Sequence, residues 1–192
     1  KDFIFAHHSA NTQQLAVAIV RGAFEYQGQK CSAASRAYIP KEIWNETLDY
    51  IKGMIPQIKM GSSMGLSNFM NSVIDEKSFD TIVSYVERAK QSDKAEIVIG
   101  GNSDKSVGYF IEPTIIVTTD PQYETMTTEL FGPVITIYLY DADKYEETLA
   151  LCDSTSPYAL TGSIFAHSRY DIDTAMQALR YSAGNFYIND KP

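Results

Sequence analysis

The chain has 192 residues, of which 44% are hydrophobic and 21% are charged, as in globular proteins generally. No apolar run approaches the ~20 residues that a bilayer-spanning helix needs, so the sequence excludes an integral membrane protein and predicts no membrane partner. The net charge of -8 comes from acidic residues spread along the chain, and the lack of a basic stripe argues against a nucleic-acid partner.

The first forty residues predict a strand, a helix and a second strand. Residues 2–7 form the first strand, and Asn11 caps the following helix, with Gln14 three positions later in the capping-box place. Apolar residues then recur at helical spacing, and Gly28 is the expected terminator. Residues 36–39 form the next strand.

A second helix opens at Pro40, in the first-turn position that proline tolerates. Its predicted inward residues are Ile43, Trp44, Leu48 and Ile51. Residues 59–73 are rich in glycine, serine, methionine and asparagine, and we expect a mobile loop there, marked by Met60, Met64, Gly65 and Met70. A third helix follows at 75–91, with the inward residues Phe79, Ile82, Val83 and Val86.

The second half of the chain continues this alternation. Strands are predicted at 97–99, 109–118, 134–140, 162–166 and 185–189, and helices at 143–152 and 171–181. Because helices separate the strands, the sequence predicts an α/β fold with a largely parallel sheet flanked by helices. Residues 1–192 show no repeat or linker and are assigned to one domain, with both ends expected to continue into a longer chain.

The two cysteines occupy very different settings. Cys152 lies on the inward side of a predicted helix and is expected in the core. Two thiols cannot form a zinc site by themselves, and the chain has no C-x-x-C pair, so we predict no metal site. A disulfide is disfavoured, and the composition suits a reducing compartment.

Cys31 lies in a tight loop of small and polar residues. A thiol attacks as the thiolate, which nearby cations and backbone N–H groups favour, and Lys30 is its sequence neighbour. Small side chains at Gly28, Ser32 and Ala33 leave room for a substrate beside the sulfur. The alternative is a buried structural cysteine in a small-residue turn.

Four segments resemble signature segments of the aldehyde dehydrogenase superfamily. Residues 24–33 read FEYQGQKCSA, and 129–134 read ELFGPV. Residues 157–165 read PYALTGSIF, and 183–191 read AGNFYINDK. The first and last of these look like the 1-pyrroline-5-carboxylate dehydrogenase branch, whose members oxidise L-glutamate γ-semialdehyde to glutamate in proline breakdown.

The resemblance implies a role for several residues. The Cys31 thiolate would add to the aldehyde to give a thiohemiacetal, which passes hydride to NAD and leaves a thioester for water to hydrolyse. The backbone N–H of Cys31 is a candidate donor to the oxyanion. Glu129 matches the glutamate that holds the nicotinamide ribose, and Phe131 either packs against the nicotinamide or fills the core. Ser32 and Lys30 are candidates for the substrate carboxylate, with ordinary loop polarity as the alternative.

The resemblance also implies parts outside these residues. An NAD-binding domain is expected upstream, where Lys1 matches the last residue of a Glu-x-Gly-Gly-Lys segment, and a substrate-gripping loop is expected after Pro192. The fragment alone is therefore expected to turn over little or nothing. A homo-oligomer and a mitochondrial matrix location follow from the family as well.

Three alternatives remain open: an aldehyde dehydrogenase of another substrate class, a cysteine hydrolase and an inactive structural domain. A cysteine hydrolase would need His7, His8 or His167 within ~3 Å of the Cys31 sulfur. An inactive structural domain could keep the fold without the chemistry. The histidines are more simply explained as exposed residues at strand ends.

Overall fold

The computed structural model describes residues 1–192. Its strands are β1 Asp2–Ala6, β2 Ala34–Pro40, β3 Ala95–Ile99, β4 Ser103–Asp104, β5 Phe110–Ile111, β6 Thr114–Thr118, β7 Val134–Tyr140, β8 Thr161–Phe165 and β9 Asn185–Ile188. Its α-helices are α1 Thr12–Phe24, α2 Lys41–Met54, α3 Glu76–Gln91, α4 Glu124–Thr127, α5 Tyr145–Thr155 and α6 Arg169–Ala178. Short 3-10 turns lie at Glu25–Gly28, Ile55–Gln57 and Ala142–Lys144.

Seven strands form one sheet in the order β3-β6-β7-β2-β1-β8-β9. Six of them run parallel, and only the edge strand β3 is antiparallel, paired with β6. Strands β4 and β5 form a separate two-stranded hairpin. The predicted α/β fold with a largely parallel sheet is therefore confirmed.

Helices cover both faces of the sheet. Because side chains alternate along a strand, β1 sends Ile4 towards α1 and α2, and Phe3 and Phe5 towards α5 and α6. A third cluster packs α3 against Ile116 of β6 and Val134 of β7. Burial on both faces explains why the central strands are nearly continuous runs of apolar residues. None of the helices combines the length and apolar character that crossing a membrane requires.

The first helix begins as predicted and ends earlier than predicted. The Asn11 side chain accepts the backbone N–H of Gln14 at 2.9 Å, which confirms the cap. The helix stops at Phe24 because Tyr26, Gln27 and Gly28 all take the left-handed conformation, with φ of 54°, 55° and 67°. A side chain destabilises that conformation, so local sequence alone favours a longer helix.

The other differences have similarly local causes. Pro113, which cannot donate to a ladder, divides the predicted 109–118 strand into β5 and β6. The two-residue strand β4 and the four-residue helix α4 are too short to leave a pattern in the sequence. Residues 59–73 contain no helix or strand, but Met70 is fully buried and joins the α1–α2 core. The predicted loop is therefore confirmed, and Met70 packs it against the core.

Most predicted inward positions are buried. Trp44, Ile51, Phe79, Ile82 and Val86 are buried as predicted. The side chains of Ile43, Leu48 and Val83 are only half-buried, because each lies at the margin of its helix's apolar face.

Candidate active site

Cys31 is exposed at the corner of a short turn that leads into β2. The N–H of Ala33 donates to the carbonyl of Lys30 at 3.1 Å, so Cys31 and Ser32 occupy the two central positions of the turn. No backbone carbonyl accepts the N–H of Cys31, which leaves that donor free. The exposure of Cys31 contradicts the alternative of a buried structural cysteine.

The side chains of two glutamines join the segment before Cys31 to residues 71–74 by hydrogen bonds. The side-chain amide of Gln27 accepts from the N–H of Asn71 at 2.9 Å and donates to the carbonyl of Ser72 at 3.3 Å. The Gln29 side chain accepts from the N–H of Ile74 at 2.8 Å. These bonds hold the left-handed residues in place, and the sequence did not single out Gln27 because its partners lie more than forty positions away.

The cysteine segment lies directly against the segment that carries Glu129. A Cβ atom on Gly28 would overlap the carbonyl group of Gly132. A Cβ atom on Gly132 would in turn overlap the side chain of Ile82 from α3. Glycine at position 28 therefore lets the two signature segments approach at backbone distance, while Gly132 leaves room for the Ile82 side chain.

Glu129 and Phe131 present their side chains to the exterior. The N–H of Phe131 donates to Oε1 of Glu129 at 3.2 Å. Phe131 has a φ of 55° and is 45% exposed, so it does not fill the core. A fixed carboxylate beside an exposed ring suits a diol next to a flat heterocycle, which is the chemistry of a nicotinamide ribose.

Two buried cations underlie this surface at the start of the strands. Lys1 is buried, its ammonium donates to the carbonyl of Ser35 at 3.5 Å, and burial lowers the pKa of its side chain to about 8, although the charge of Glu129 acts in the opposite direction. Arg36 is fully buried and donates to the carbonyls of Lys1 and Cys152. The bonds of Lys1 with Ser35 and Arg36 join the start of β2 to the residue before β1, and the bond from Arg36 to Cys152 joins β2 to α5.

The side chain of Lys30 has a partner within the chain. Its ammonium donates to Oε2 of Glu25 at 2.9 Å. Ser32 is half-buried, and its carbonyl accepts from the hydroxyl of Thr161 at 3.4 Å. Glu25 was missed by the sequence reasoning, although its spacing of four from Arg21 is a recognisable helical ion-pair signal.

A groove of about 910 Å³ lies on the other side of the two glutamines. Tyr26, Gln27 and Gln29 form one wall, and residues 60–63 and 71–74 line much of the remainder. Cys31 does not line this groove. The groove and the thiol are therefore separate features of this surface.

The histidines lie at the carboxyl ends of the strands, whereas Cys31 lies at the amino ends. Cys31 precedes β2, whereas His7 and His8 follow β1 and His167 follows β8, and all three strands run parallel. A five-residue strand spans roughly 16 Å, so no cysteine–histidine pair can form, and the hydrolase reading is wrong. His8 and His167 are exposed as predicted, whereas His7 is buried, with Nδ1 2.8 Å from the hydroxyl of Ser9, so its predicted exposure was wrong.

Cys152 is fully buried, as predicted, and belongs to the core beneath α5 and α6. Burial raises the pKa of its thiol to about 12. The two thiols therefore differ in access.

This fold, with an exposed cysteine at the amino ends of parallel strands, matches one family over the whole chain. Residues 1–192 match the aldehyde dehydrogenase family, and the chain belongs to it. The chain is 56% identical over 191 residues to the mitochondrial delta-1-pyrroline-5-carboxylate dehydrogenase of Dictyostelium discoideum, and 45% identical over 192 residues to that of Homo sapiens. Each alignment covers 100% of this chain and 34% of the relative.

A solved structure agrees with these relatives. The Delta-pyrroline-5-carboxylate dehydrogenase from Mycobacterium tuberculosis bound with NAD superposes with a TM-score of 0.91 at 41% identity. The superposition covers 100% of this chain and 34% of that one. The chain thus spans about a third of the length of the proteins that it matches.

Proposed function

We propose that the protein carrying this chain is an NAD-dependent aldehyde dehydrogenase that oxidises L-glutamate γ-semialdehyde, in equilibrium with 1-pyrroline-5-carboxylate, to L-glutamate. The observation that carries the proposal is the exposed Cys31 on a turn whose preceding residues contact the Glu129 segment. The names of the relatives support the substrate, and proline breakdown is the corresponding metabolic context.

Cys31 is the proposed nucleophile. Its thiolate adds to the carbonyl carbon, and the carbonyl electrons move to oxygen as an alkoxide. The backbone N–H of Cys31 has no backbone acceptor, and because it belongs to the residue that bears the thiolate, it can donate to that oxygen. When bound, NAD would supply the acceptor for the hydride of this adduct. Loss of that hydride leaves a thioester on Cys31. Water then releases the acid and restores the thiol.

Glu129 and Phe131 are the proposed cofactor-binding residues. The carboxylate of Glu129 is fixed by the N–H of Phe131 and has two oxygens for the two hydroxyls of a ribose. The exposed ring of Phe131 offers an apolar surface beside it. These features fit the nicotinamide end of the cofactor.

Lys30 and Ser32 are the proposed residues for the substrate carboxylate. They flank Cys31 in sequence, so groups on both sides of the sulfur could meet the carboxylate at the far end of the short semialdehyde. The ammonium of Lys30 is held by Glu25, so direct contact with substrate requires the Lys30 side chain to reorient, whereas the Ser32 hydroxyl has no such partner. Ser32 is therefore the stronger of the two assignments.

We further propose how these residues belong to a whole protein. The chain is the cysteine-bearing part of the catalytic domain, and the NAD-binding domain and a C-terminal segment lie in the remaining two-thirds expected from the relatives. The relatives' names support a mitochondrial location, which we take to be the matrix. A homo-oligomer is expected of the full-length chain.

A single absorbance assay tests the proposed function. The full-length protein is mixed with NAD and glutamate semialdehyde, and NADH is followed spectrophotometrically. We expect NADH production that C31A abolishes and C152A retains, since Cys152 lies in the core. NADH production by C31A would contradict the nucleophile, and the absence of any signal from the parent protein would contradict the activity.

A further inference from the structure

A buried threonine joins the turn that carries Cys31 to the middle of the sheet. Thr161 is the first residue of β8 and is 5% exposed. Its hydroxyl donates to Oδ2 of Asp2 at 2.5 Å, and the carbonyl oxygen of Ser32 lies 3.4 Å from the same hydroxyl. Ser32 and Cys31 are the two central residues of the turn, so Thr161 contacts the backbone of the turn directly.

Asp2 fixes the position of this threonine. Asp2 is 2% exposed, and its Oδ1 accepts the backbone N–H of Leu160 at 2.8 Å while its Oδ2 accepts the hydroxyl of Thr161. It lies in β1, which pairs with β2 on one side and with β8 on the other. The carboxylate of Asp2 therefore joins the start of β8 to the strand next to the cysteine turn.

The hydroxyl of Thr161 faces two acceptors with a single hydrogen. The contact with Asp2 is the shorter, and a carboxylate makes a stronger bond than a neutral carbonyl does. The carbonyl of Ser32 therefore receives the weaker branch of a three-centre hydrogen bond. As a result, Thr161 holds the turn less firmly than an unshared hydrogen bond would.

We propose that Thr161 is a positioning residue for the cysteine turn, and that Asp2 sets the strength of its contact with Ser32 by sharing the hydroxyl hydrogen. Inside the turn, the N–H of Ala33 donates to the carbonyl of Lys30 at 3.1 Å, so displacement of Ser32 opens this bond. The consequence for catalysis rests on the proposed function, in which Ser32 binds the substrate carboxylate.

Other hydrogen bonds near the turn do not replace this contact. The ammonium of Lys30 donates to Glu25, and the hydroxyl of Ser35 donates to the backbone carbonyl of Asp2 at 3.3 Å. These bonds hold the residues before and after the turn, and neither involves Ser32. The structure gives Ser32 no second hydrogen bond, so its position depends on Thr161.

Hydrogen exchange of the Ala33 amide in the full-length protein tests the inference, because this amide is protected only while the turn is closed. T161V removes the hydroxyl with little change of shape, and exchange should speed up by roughly two- to fivefold, the lower part of the range for a neutral hydrogen bond. T161S keeps the hydroxyl and should exchange at the parent rate. T47V is the matched control, since the buried hydroxyl of Thr47 bonds only within α2.

D2N tests the sharing of the hydrogen. The N–H of Leu160 needs an acceptor, so the oxygen of the new amide stays on that side and its NH2 group faces Thr161. The hydroxyl then accepts from the amide and donates to Ser32 alone. We expect Ala33 exchange to slow by a similar factor in D2N, and the double variant D2N/T161V to exchange as T161V does.

The outcomes separate positioning from general stability. A merely structural role for Thr161 would speed the α2 amides together with Ala33, whereas positioning leaves the α2 amides at the parent rate. An unchanged Ala33 rate in T161V, or a T161S rate equal to that of T161V, overturns the positioning role. Faster Ala33 exchange in D2N overturns the sharing. Should D2N fail to fold, T161V against T161S still decides the positioning role.

The inference and the proposed function can fail separately. Hydrogen exchange needs neither aldehyde nor cofactor, whereas the proposed function is tested by NADH production. In the active protein, T161V should raise the KM for glutamate semialdehyde and leave the KM for NAD unchanged, because the bond between Phe131 and Glu129 is untouched. T161S should restore the parent KM, and a KM for the semialdehyde that T161V does not change would overturn the link between the turn and substrate binding.

Discussion

The α-carbon of Gly28 lies against the carbonyl oxygen of Gly132, with no room for a side chain between them. This contact brings the segment before Cys31 to the segment that carries Glu129 and Phe131. The proposed nucleophile and the proposed cofactor residues therefore lie together at the amino ends of β2 and β7, where the backbones of two glycines are in contact.

The first prediction concerns this contact. G28A should lower the free energy of unfolding by about 1–3 kcal/mol from left-handed strain alone, and by more because the methyl group overlaps the Gly132 carbonyl. G53A is the matched control, since Gly53 lies in α2 with open space around it, and should stabilise by ~0.5–1 kcal/mol. Denaturant unfolding measures both changes. Equal effects of the two substitutions would contradict the importance of the contact.

Thiol labelling gives a second prediction. The native protein should take up iodoacetamide at Cys31 and not at Cys152, because burial excludes the reagent and raises the pKa of the Cys152 thiol to about 12. Unfolding in denaturant should expose both. Peptide mass spectrometry resolves the two sites, and labelling of native Cys152 before Cys31 would show that the core assignment is wrong.

Replacement of Glu129 tests the proposed cofactor contact. E129Q keeps the shape but loses a charged acceptor, a change of about 1.5 kcal/mol or more, so the KM for NAD should rise by roughly tenfold or hydride transfer should slow. E124Q, which alters a carboxylate paired with Arg88, should leave both unchanged. Steady-state kinetics on the full-length protein provide the comparison. An E129Q variant with the parent's NAD dependence would remove the assignment.

The hydrogen bonds of the Gln27 side chain to Asn71 and Ser72 supply a fourth prediction. Q27E replaces the donor to the Ser72 carbonyl with an oxygen, so a buried carboxylate faces a carbonyl and the protein should lose about 1–3 kcal/mol of stability or more. Q57E is the control, because the Gln57 side chain is exposed, and it should change stability by less than ~0.5 kcal/mol. The thermal midpoints of the two variants measure the difference. A thermal midpoint of Q27E as high as that of Q57E would mean that the hydrogen bond from Gln27 to Ser72 does not stabilise the fold.

The ion pairs of Glu25 with Arg21, Lys30 and Lys191 give the last prediction, which concerns stability in acid. The folded pKa of Glu25 is about 2, below its ordinary value of 4.5, so its stabilisation is present above pH 4.5 and is lost as the pH falls towards 2. The stability difference between the parent protein and E25Q should therefore narrow as the pH falls from 5 to 3. Urea unfolding at several pH values measures it, and a difference independent of pH would contradict the ion pairing.

The sequence could supply the elements of the fold because their causes are local. The Asn11 cap, the apolar spacing of α3 and the β-branched run of β7 each specify their own structure within a few residues. Predictions failed where a distant contact overrode local preference. Gln27 holds a left-handed conformation through bonds to residues 71 and 72, and it thereby ends α1 before the predicted terminator Gly28.

The sequence by itself determined the fold class, the family resemblance and which cysteine is the candidate nucleophile, since these follow from periodicity and short segments. Only the tertiary structure decided that Cys31 is exposed at the amino ends of the strands, that the histidines lie at the carboxyl ends, and that Lys30 is paired with Glu25. Strand direction and the close packing of Gly28 on Gly132 fix these distances. Such contacts join residues far apart in the chain, so no local pattern records them.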